Sequence, residues 1–444
     1  MTATQKICFG FLAVIAVGTI LLIMPFSTAS GTWNNPIVAL FTSASAVCVV
    51  GLTVVDTGSY YSFWGQLIIL LLIQIGGLGY MTFTTFLIML TGRRFDLRHK
   101  MAIQQALDRR EIEGSGNIIR SIIGVTLFFE ITGIFLLLLV FIPDFGWDRG
   151  MWLAIFHSVS AWNNAGFSLF SNSLVDYQSS VLLVFAISSL TIFGGIGYQV
   201  ILEMFFWLRD RLRRKPRNIV LSLDYKVAVS TSIFLLLSGT VSFFFIEIKN
   251  PQTLGNLSFP TQVLASWFHS TMTRCAGFNS IDIGQMTTAG LFATMFFMFI
   301  GASPGGTGGG MKTTTIRVLT SATKSILQGK EEVLLYERRI AVSLILKAIG
   351  VAVGSITTVV IGIVLISLVE PELNFIQLQF EVVAAYSSGG ISTGITSGLS
   401  TVAKLILIVL MYFGRVGVLL IMSAILGDPK PSKMHYPEED LLVG

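Results

Sequence analysis

Charge is what this sequence most lacks. Asp, Glu, Lys and Arg make up only 12% of its 444 residues, hydrophobic residues make up 53%, and the mean hydropathy is +0.77. No water-soluble domain carries that balance, so the chain is read as an integral membrane protein. Cysteine is scarce as well. Cys8, Cys48 and Cys275 are odd in number and imply no disulfide framework. Four histidines (His99, His157, His269, His435) lack metal-ligand spacing, which leaves a membrane enzyme little support. A net charge of +5 would suggest nucleic acid if the basic residues shared one solvated face, but here they lie between apolar runs. No nucleic-acid partner is expected, and no linker is long or polar enough to form a separate soluble domain.

What the chain does contain is a fourfold repeat. Gly51-Leu52-Thr53, Gly166-Phe167-Ser168, Gly277-Phe278-Asn279 and Gly390-Ile391-Ser392 share glycine, a bulky apolar residue and a small polar one. The glycines recur at intervals of 115, 111 and 113 residues, and an aromatic stands ten residues before each (Phe41, Phe156, Trp267, Phe380). Such a triplet alone means nothing in a chain with 43 glycines. Four copies in register point to a quadruplicated unit.

Apolar stretches give each unit the order long, short, long. The stretches are 7–25, 34–50 and 63–90, then 118–141, 151–165 and 181–208, then 227–246, 260–276 and 289–315, then 340–369, 375–389 and 402–426. The long ones can span a bilayer and the short ones cannot. The first is read as an uncleaved span because it outruns a signal-peptide core. The expected fold is an all-α membrane protein of four tandem helix–pore-loop–helix repeats: eight spans and four re-entrant half-helices around one pseudo-fourfold pore. Its units are residues 1–92, 93–217, 218–330 and 331–444. Basic residues collect in the links after the long runs: Arg93, Arg94, Arg98, Lys100, Arg109 and Arg110, then the cluster 209–217, then Lys324, Lys330, Arg338 and Arg339, then Lys430 and Lys433. Residues beside the short runs are uncharged or acidic, as at Asp144, Asp148, Glu370 and Glu372. The positive-inside rule therefore places the links and both termini in the cytoplasm, with all four short segments dipping in from outside.

Irregular backbone at membrane depth survives only where protein buries it or where it lines a watery path. Four short helices around one axis would aim their negative C-terminal ends at a cation. A glycine at each turn permits positive φ and close approach. Its carbonyl and the preceding one can replace water around a dehydrated alkali cation. That assigns the filter backbone to Val50, Gly51, Ala165, Gly166, Ala276, Gly277, Gly389 and Gly390, with the fourth loop ambiguous by one residue. No carboxylate flanks these glycines directly, which disfavours a Ca2+-type acidic ring. On the segments around Gly51, Gly166 and Gly277, the chain resembles the filter loops of the Trk/Ktr/HKT superfamily of potassium transporters. With 301–315 added, it is similar to the membrane subunit of bacterial Ktr-type uptake systems. The resemblance implies K+ uptake across a bacterial cell membrane, a homodimer with one pore per subunit, and a cytosolic ring of nucleotide-binding regulatory subunits. Val50 and the Ser387-Ser388-Gly389-Gly390 loop depart from patterns common in relatives. Na+ dependence, or a Na+-conducting or Na+/K+ cotransporting carrier on the same scaffold, is the alternative. The all-glycine filter favours K+, since a first-loop serine marks the Na+-selective plant relatives.

A second glycine-rich feature recurs 24 to 28 residues after each filter glycine, as Gly76-Gly77, Gly194-Gly195, Gly301-Ala302 and Gly414-Arg415. In units one and two it reads as packing. In unit three, Gly305, Gly306, Thr307, Gly308, Gly309 and Gly310 cannot hold a helix, so that span is broken in mid-membrane. It is not a phosphate loop, because Met311 separates the last glycine from Lys312 and no strand precedes it. The resemblance makes it an intramembrane gating loop. Arg415, central in an apolar run, is a functional-site candidate that would pair with an acid or with carbonyls of the broken helix; Lys312 is a similar candidate. Orientation is testable by labelling. With native cysteines removed, Arg98→Cys and Arg214→Cys should each react with an impermeant thiol reagent only from the cytoplasmic side, and labelling of both from outside would reverse the topology.

Overall fold

The computed structural model describes residues 3–79, 115–212 and 221–426. The basic links 93–110, 213–217 and 430–433, with His99 and His435, lie outside the described residues. Unit one contains α1 (Ala3–Ile23), α2 (Pro36–Val47) and α3 (Phe63–Leu78). Unit two contains α4 (Ser115–Trp162), α5 (Val181–Ile196) and α6 (Tyr198–Leu212). Within α4 the helical path breaks at Gly146 (φ 77°, ψ 177°), which separates a long arm from a short one. Unit three contains α7 (Leu223–Glu247), α8 (Phe259–Met272), α9 (Thr288–Phe299) and α10 (Thr313–Leu327). Unit four follows a small hairpin, β1 (Leu334–Leu335) with β2 (Arg338–Arg339), and contains α11 (Val342–Val369), α12 (Phe375–Ser387), α13 (Thr401–Val416) and α14 (Val418–Leu426).

The protein is mostly helical and apolar on its outside, as an all-α membrane protein must be. Four described helices are long and apolar enough to cross a membrane, or six spans if two bent pairs each count once. The short helices α2, α8 and α12 have 12, 14 and 13 residues. At 1.5 Å per residue each reaches roughly 20 Å, short of a hydrocarbon core of about 30 Å. Local chemistry starts them: Asn35 Oδ1 accepts from the Ile37 amide (3.0 Å) and Asn374 Oδ1 from the Ile376 amide (3.1 Å), with Pro36 in the first turn of α2.

Each short helix is held to the first helix of its own unit by glycine contact and hydroxyl bonds. Ser43 donates to the Ile15 carbonyl (2.8 Å), Ser158 to that of Glu130 (2.8 Å) and Ser270 to that of Leu236 (2.9 Å). Gly18, Gly133 and Gly239 leave the space these serines fill. The last helices then join the units in a ring. α3 packs on α4, α5 on α8, α9 on α12, and α13 returns to α2.

Two expectations need correction. Spans 181–208 and 402–426 are not continuous. They bend by 103° at Gly197 (φ 98°) and by 96° at Gly417 (φ 90°), while α3 ends at Gly79 (φ 77°). Arg415 therefore stands at the end of a helix, not in the middle of one. The aromatic alignment also slips in unit three, where Phe268 is fully buried in place of Trp267. The turn after α8 is one residue tighter. The amide before the glycine reaches back four residues there (Ala276 to Met272, 3.1 Å), against five in the other units. Gly197→Ala should lower the thermal unfolding midpoint, since φ 98° is strained for any Cβ-bearing residue by roughly 1–3 kcal/mol and the Cβ would strike the Pro304 carbonyl. Gly350→Ala, whose Cβ would meet only Leu419 at 3.8 Å, serves as the silent control in the same melting experiment.

Candidate functional site

At each short-helix end the chain adopts the same uncommon geometry. Two residues before the repeat glycine it turns left-handed, at Val49 (φ 56°), Asn164 (58°), Cys275 (66°) and Ser388 (55°). The glycines follow at φ 93° (Gly51), 69° (Gly166), 74° (Gly277) and 67° (Gly390). A left-handed non-glycine residue costs roughly 1–2 kcal/mol, so four in register mark a backbone shape that the rest of the fold enforces. Backbone bonds fix it. The amides of Val50, Ala165 and Gly389 donate to the carbonyls of Ser45 (2.8 Å), Ser160 (2.8 Å) and Ala384 (2.9 Å). Gly389 is thus the counterpart of Val50 and Ala165, and Gly390 that of Gly51. This removes the one-residue ambiguity of the fourth loop.

The four glycines meet in chain order around one axis. A Cβ on Gly51 would strike the Ala165 carbonyl, and one on Gly166 would lie 2.5 Å from Gly277 Cα and 2.8 Å from the Ala276 oxygen. A Cβ on Gly277 would lie 2.7 Å from Gly166 Cα and 3.4 Å from Gly390 Cα, and one on Gly390 would strike the Val50 carbonyl. The ring is therefore floored and walled by backbone, with the carbonyls of Val50, Ala165 and Ala276 between neighbouring glycines. No side chain fits at these four positions. Gly389 faces elsewhere, since its Cβ would meet the Met298 side chain.

Side chains behind the ring hold the outgoing strands. Gly51 N–H donates to Ser45 Oγ (3.1 Å), and Ser160 Oγ donates to the Phe167 carbonyl (2.8 Å). His157 Nε2 bonds Ser168 Oγ (3.0 Å), and His269 Nε2 bonds Thr294 Oγ1 (3.0 Å), so both histidines are packed structural groups. In the fourth loop Glu381 takes that role. Its carboxylate accepts from Ser392 Oγ (2.6 Å), the Thr393 amide (2.9 Å) and Thr396 Oγ1 (2.8 Å). Glu381, with the buried Glu130 and Glu247, escaped the sequence reading, which weighed intramembrane charge only at Arg415 and Lys312. The same signal, an acid inside an apolar run, could have found Glu130.

Beneath the ring lies the glycine run between α9 and α10. Its neck closes where the Gly301 amide meets the Met311 carbonyl (2.8 Å). The run then docks on its neighbours, with the Thr307 amide on the Gly194 carbonyl (3.0 Å), the Ser303 amide on that of Gly195 (2.9 Å) and the Gly310 amide on that of Gly414 (3.3 Å). Gly308 lies where a Cβ would come within 2.9 Å of Cys275 Cβ, and Gly309 lies against Ser388. Gly305 and Gly306 pack on Tyr198 and the Gly195 carbonyl. Arg415 donates to the carbonyls of Thr307 and Gly76, tying unit four to the loop and to unit one. Carbonyls, not an acid, are its partners. Lys312 Nζ donates to the Gly308 oxygen (2.8 Å). Below the loop opens a cavity of about 460 Å³ lined by Gly77, Thr307, Lys312 and Arg415, among others. Cys48 and Cys275, expected near the outer vestibule, are fully buried, Cys275 on the loop side of the ring.

Compared with known proteins, residues 1–433 match the TrkH family, described as cation transport protein. The chain belongs to this family. It is a transporter family, not an enzyme family. The chain is 35% identical over 444 residues to the Ktr system potassium uptake protein B of Bacillus subtilis strain 168, covering 100% of this chain and 97% of that one. It is 36% identical to the protein of the same name from Vibrio alginolyticus (99% and 94% covered). It is 34% identical to the potassium/sodium uptake protein NtpJ of Enterococcus hirae (100% and 98% covered). The crystal structure of the potassium transporter TrkH from Vibrio parahaemolyticus shares the fold, with a TM-score of 0.72 at 18% identity over 95% of this chain and 85% of that one. For this TrkH-family chain the ring geometry ranks two neighbouring substitutions. Gly390→Val should abolish cation uptake at matched membrane expression, because φ 67° and the Val50 carbonyl both oppose a side chain. Gly389→Val should be milder, since the movable Met298 side chain can yield, and the reverse order would shift the loop register by one.

Proposed function

We propose that this chain takes up K+ through the ring of Gly51, Gly166, Gly277 and Gly390. The observation that carries the reading is their closure in chain order with the preceding carbonyls between them. Such oxygens replace the hydration shell of an alkali cation without a fixed negative charge. The names of the B. subtilis and V. alginolyticus relatives support potassium as the cargo. The membrane potential drives entry, with about 2.3 kcal/mol per charge per 100 mV. In this reading the four units make eight spans and four re-entrant segments around one pore, with both termini in the cytoplasm. The chain works as a homodimer on a cytosolic nucleotide-binding ring, as the Ktr system names of its relatives suggest. A second reading, Na+ conduction or Na+/K+ cotransport on the same scaffold, is favoured by the potassium/sodium name of the E. hirae relative.

The run 305–310 is the gate of this pathway. It obstructs the route below the ring, it is bonded through backbone alone, and Arg415 clasps it through Thr307. A segment without regular structure can withdraw by exchanging a few such bonds for water in the cavity below. The test is isotope uptake in K+-transport-deficient cells, with and without competing Na+. The intact chain should restore saturable K+ uptake that Na+ does not replace, and equal uptake of both ions would favour the second reading. Deleting 305–310 should raise maximal uptake several-fold with little change in half-saturation, at matched membrane expression. Unchanged maximal uptake in a stable protein would move the gate elsewhere.

A further inference from the structure

Three residues before Gly277, where units one, two and four carry Cys48, Asn163 and Ser387, unit three carries Arg274. Its guanidinium is part-buried between units two and three, and its one hydrogen bond is a long one, from Nη1 to the Ser232 carbonyl (3.4 Å). Among the described residues no carboxylate comes within 4.0 Å of it; the ion pair recorded there is Arg339 with Glu332. A guanidinium has five N–H donors in a rigid fork and stays charged. Leaving such a charge uncompensated inside an apolar span is expensive. The negative end of α8 offsets at most about half a unit charge. Two other cations, Lys312 and Arg415, stand below the same ring and bond only to carbonyls.

Arg274 borders a small cavity of about 10 Å³ between α5 and α7, beside Thr191, Ser232, Thr271 and Ala302. That is room for the centre of one small particle. Three of the groups around it are unsatisfied. Arg274 Nε, Ser232 Oγ and Thr191 Oγ1 are buried and make no hydrogen bond. A donor with no partner, from a cation, beside two hydroxyls that can each donate, is the chemistry of an anion site. A water molecule would satisfy the geometry and leave the charge. A monovalent anion satisfies both.

We propose that a small monovalent anion of the chloride class occupies this cavity, held by Arg274, Ser232 and Thr191, as the counter-charge that lets an arginine stand behind the third glycine loop. A second consequence rests on the K+ reading above. With the anion absent, the bare guanidinium repels the cation in the ring. A unit charge near a binding site shifts cation affinity on the order of tenfold at an effective dielectric of about 20.

The test uses the full chain and bromide. Crystals grown with bromide in place of chloride should show an anomalous peak within hydrogen-bond reach of Arg274 Nε and Ser232 Oγ, and none in Arg274→Gln. The melting midpoint in gluconate should rise on titrating bromide, saturating in the millimolar range, with Ser232→Ala and Thr191→Val weakening that response. Ordered density without an anomalous signal would identify water and overturn the proposal. A response only at molar bromide would mean an adventitious ion only and overturn it equally. In proteoliposomes, replacing chloride by gluconate should raise the K+ half-saturation of wild type on the order of tenfold and leave Arg274→Gln unmoved. Anion binding without this kinetic effect would leave the site standing and count against the K+ ring beside it. An arginine that merely packs would give no anion dependence in any arm.

Discussion

Everything in this chain follows from one constraint: backbone that leaves the helix inside an apolar layer must find its hydrogen bonds within the protein. An unpaired amide or carbonyl there costs several kcal/mol. The chain leaves the helix at each of the four glycine loops and again at Gly197, at Gly417 and through the run 301–312. Each departure is satisfied by another. The carbonyls of Gly194 and Gly195, freed near the Gly197 break, receive the amides of Thr307 and Ser303, and that of Gly414 receives Gly310. The breaks in units two and four and the disordered-looking composition of unit three are thus one structure, a backbone plug built from three interrupted helices.

The same economy explains why so little charge is needed. Four short helices converge with their C-terminal ends toward the ring, and the loops beyond them present carbonyls. Both supply negative potential without any carboxylate that would have to be desolvated. The acids that are buried, Glu247 and Glu381, serve as hubs for hydroxyls and amides on the loops leaving the ring. The cations gather on the other side of the ring, where carbonyls freed by the helix breaks can hold them.

Spacing made the ring legible in the sequence. Gly51, Gly166, Gly277 and Gly390 stand at near-constant intervals, and glycine is the residue that close approach at positive φ requires. The break in unit three was legible for a different reason, since a run of five glycines around Thr307 has no helix to offer. The breaks at Gly197 and Gly417 were not. A single glycine is tolerated inside an apolar helix, and what decides its path is a partner distant in sequence, here the Pro304 carbonyl packed against Gly197. The partners of Arg415 were hidden likewise, because a carbonyl at Thr307 or Gly76 looks in sequence like any other. The tighter turn after α8 shifted Trp267 out of line, a one-residue change that spacing alone could not resolve.

Ring closure joins the two ends of the chain. α13 packs on α2, the Tyr412 hydroxyl donates to the Cys8 carbonyl (2.9 Å), and Gln5 donates to the Ala424 carbonyl (3.1 Å). These are contacts across nearly the full length of the polypeptide, among the most costly in loop entropy to form. During synthesis the first three glycine loops must wait in the bilayer as an open arc, their carbonyls facing a gap, until the last unit arrives. A chain stalled or truncated before that point has no enclosed ring through which to leak ions, so the order of the repeats is itself a safeguard for the membrane in which the protein is made.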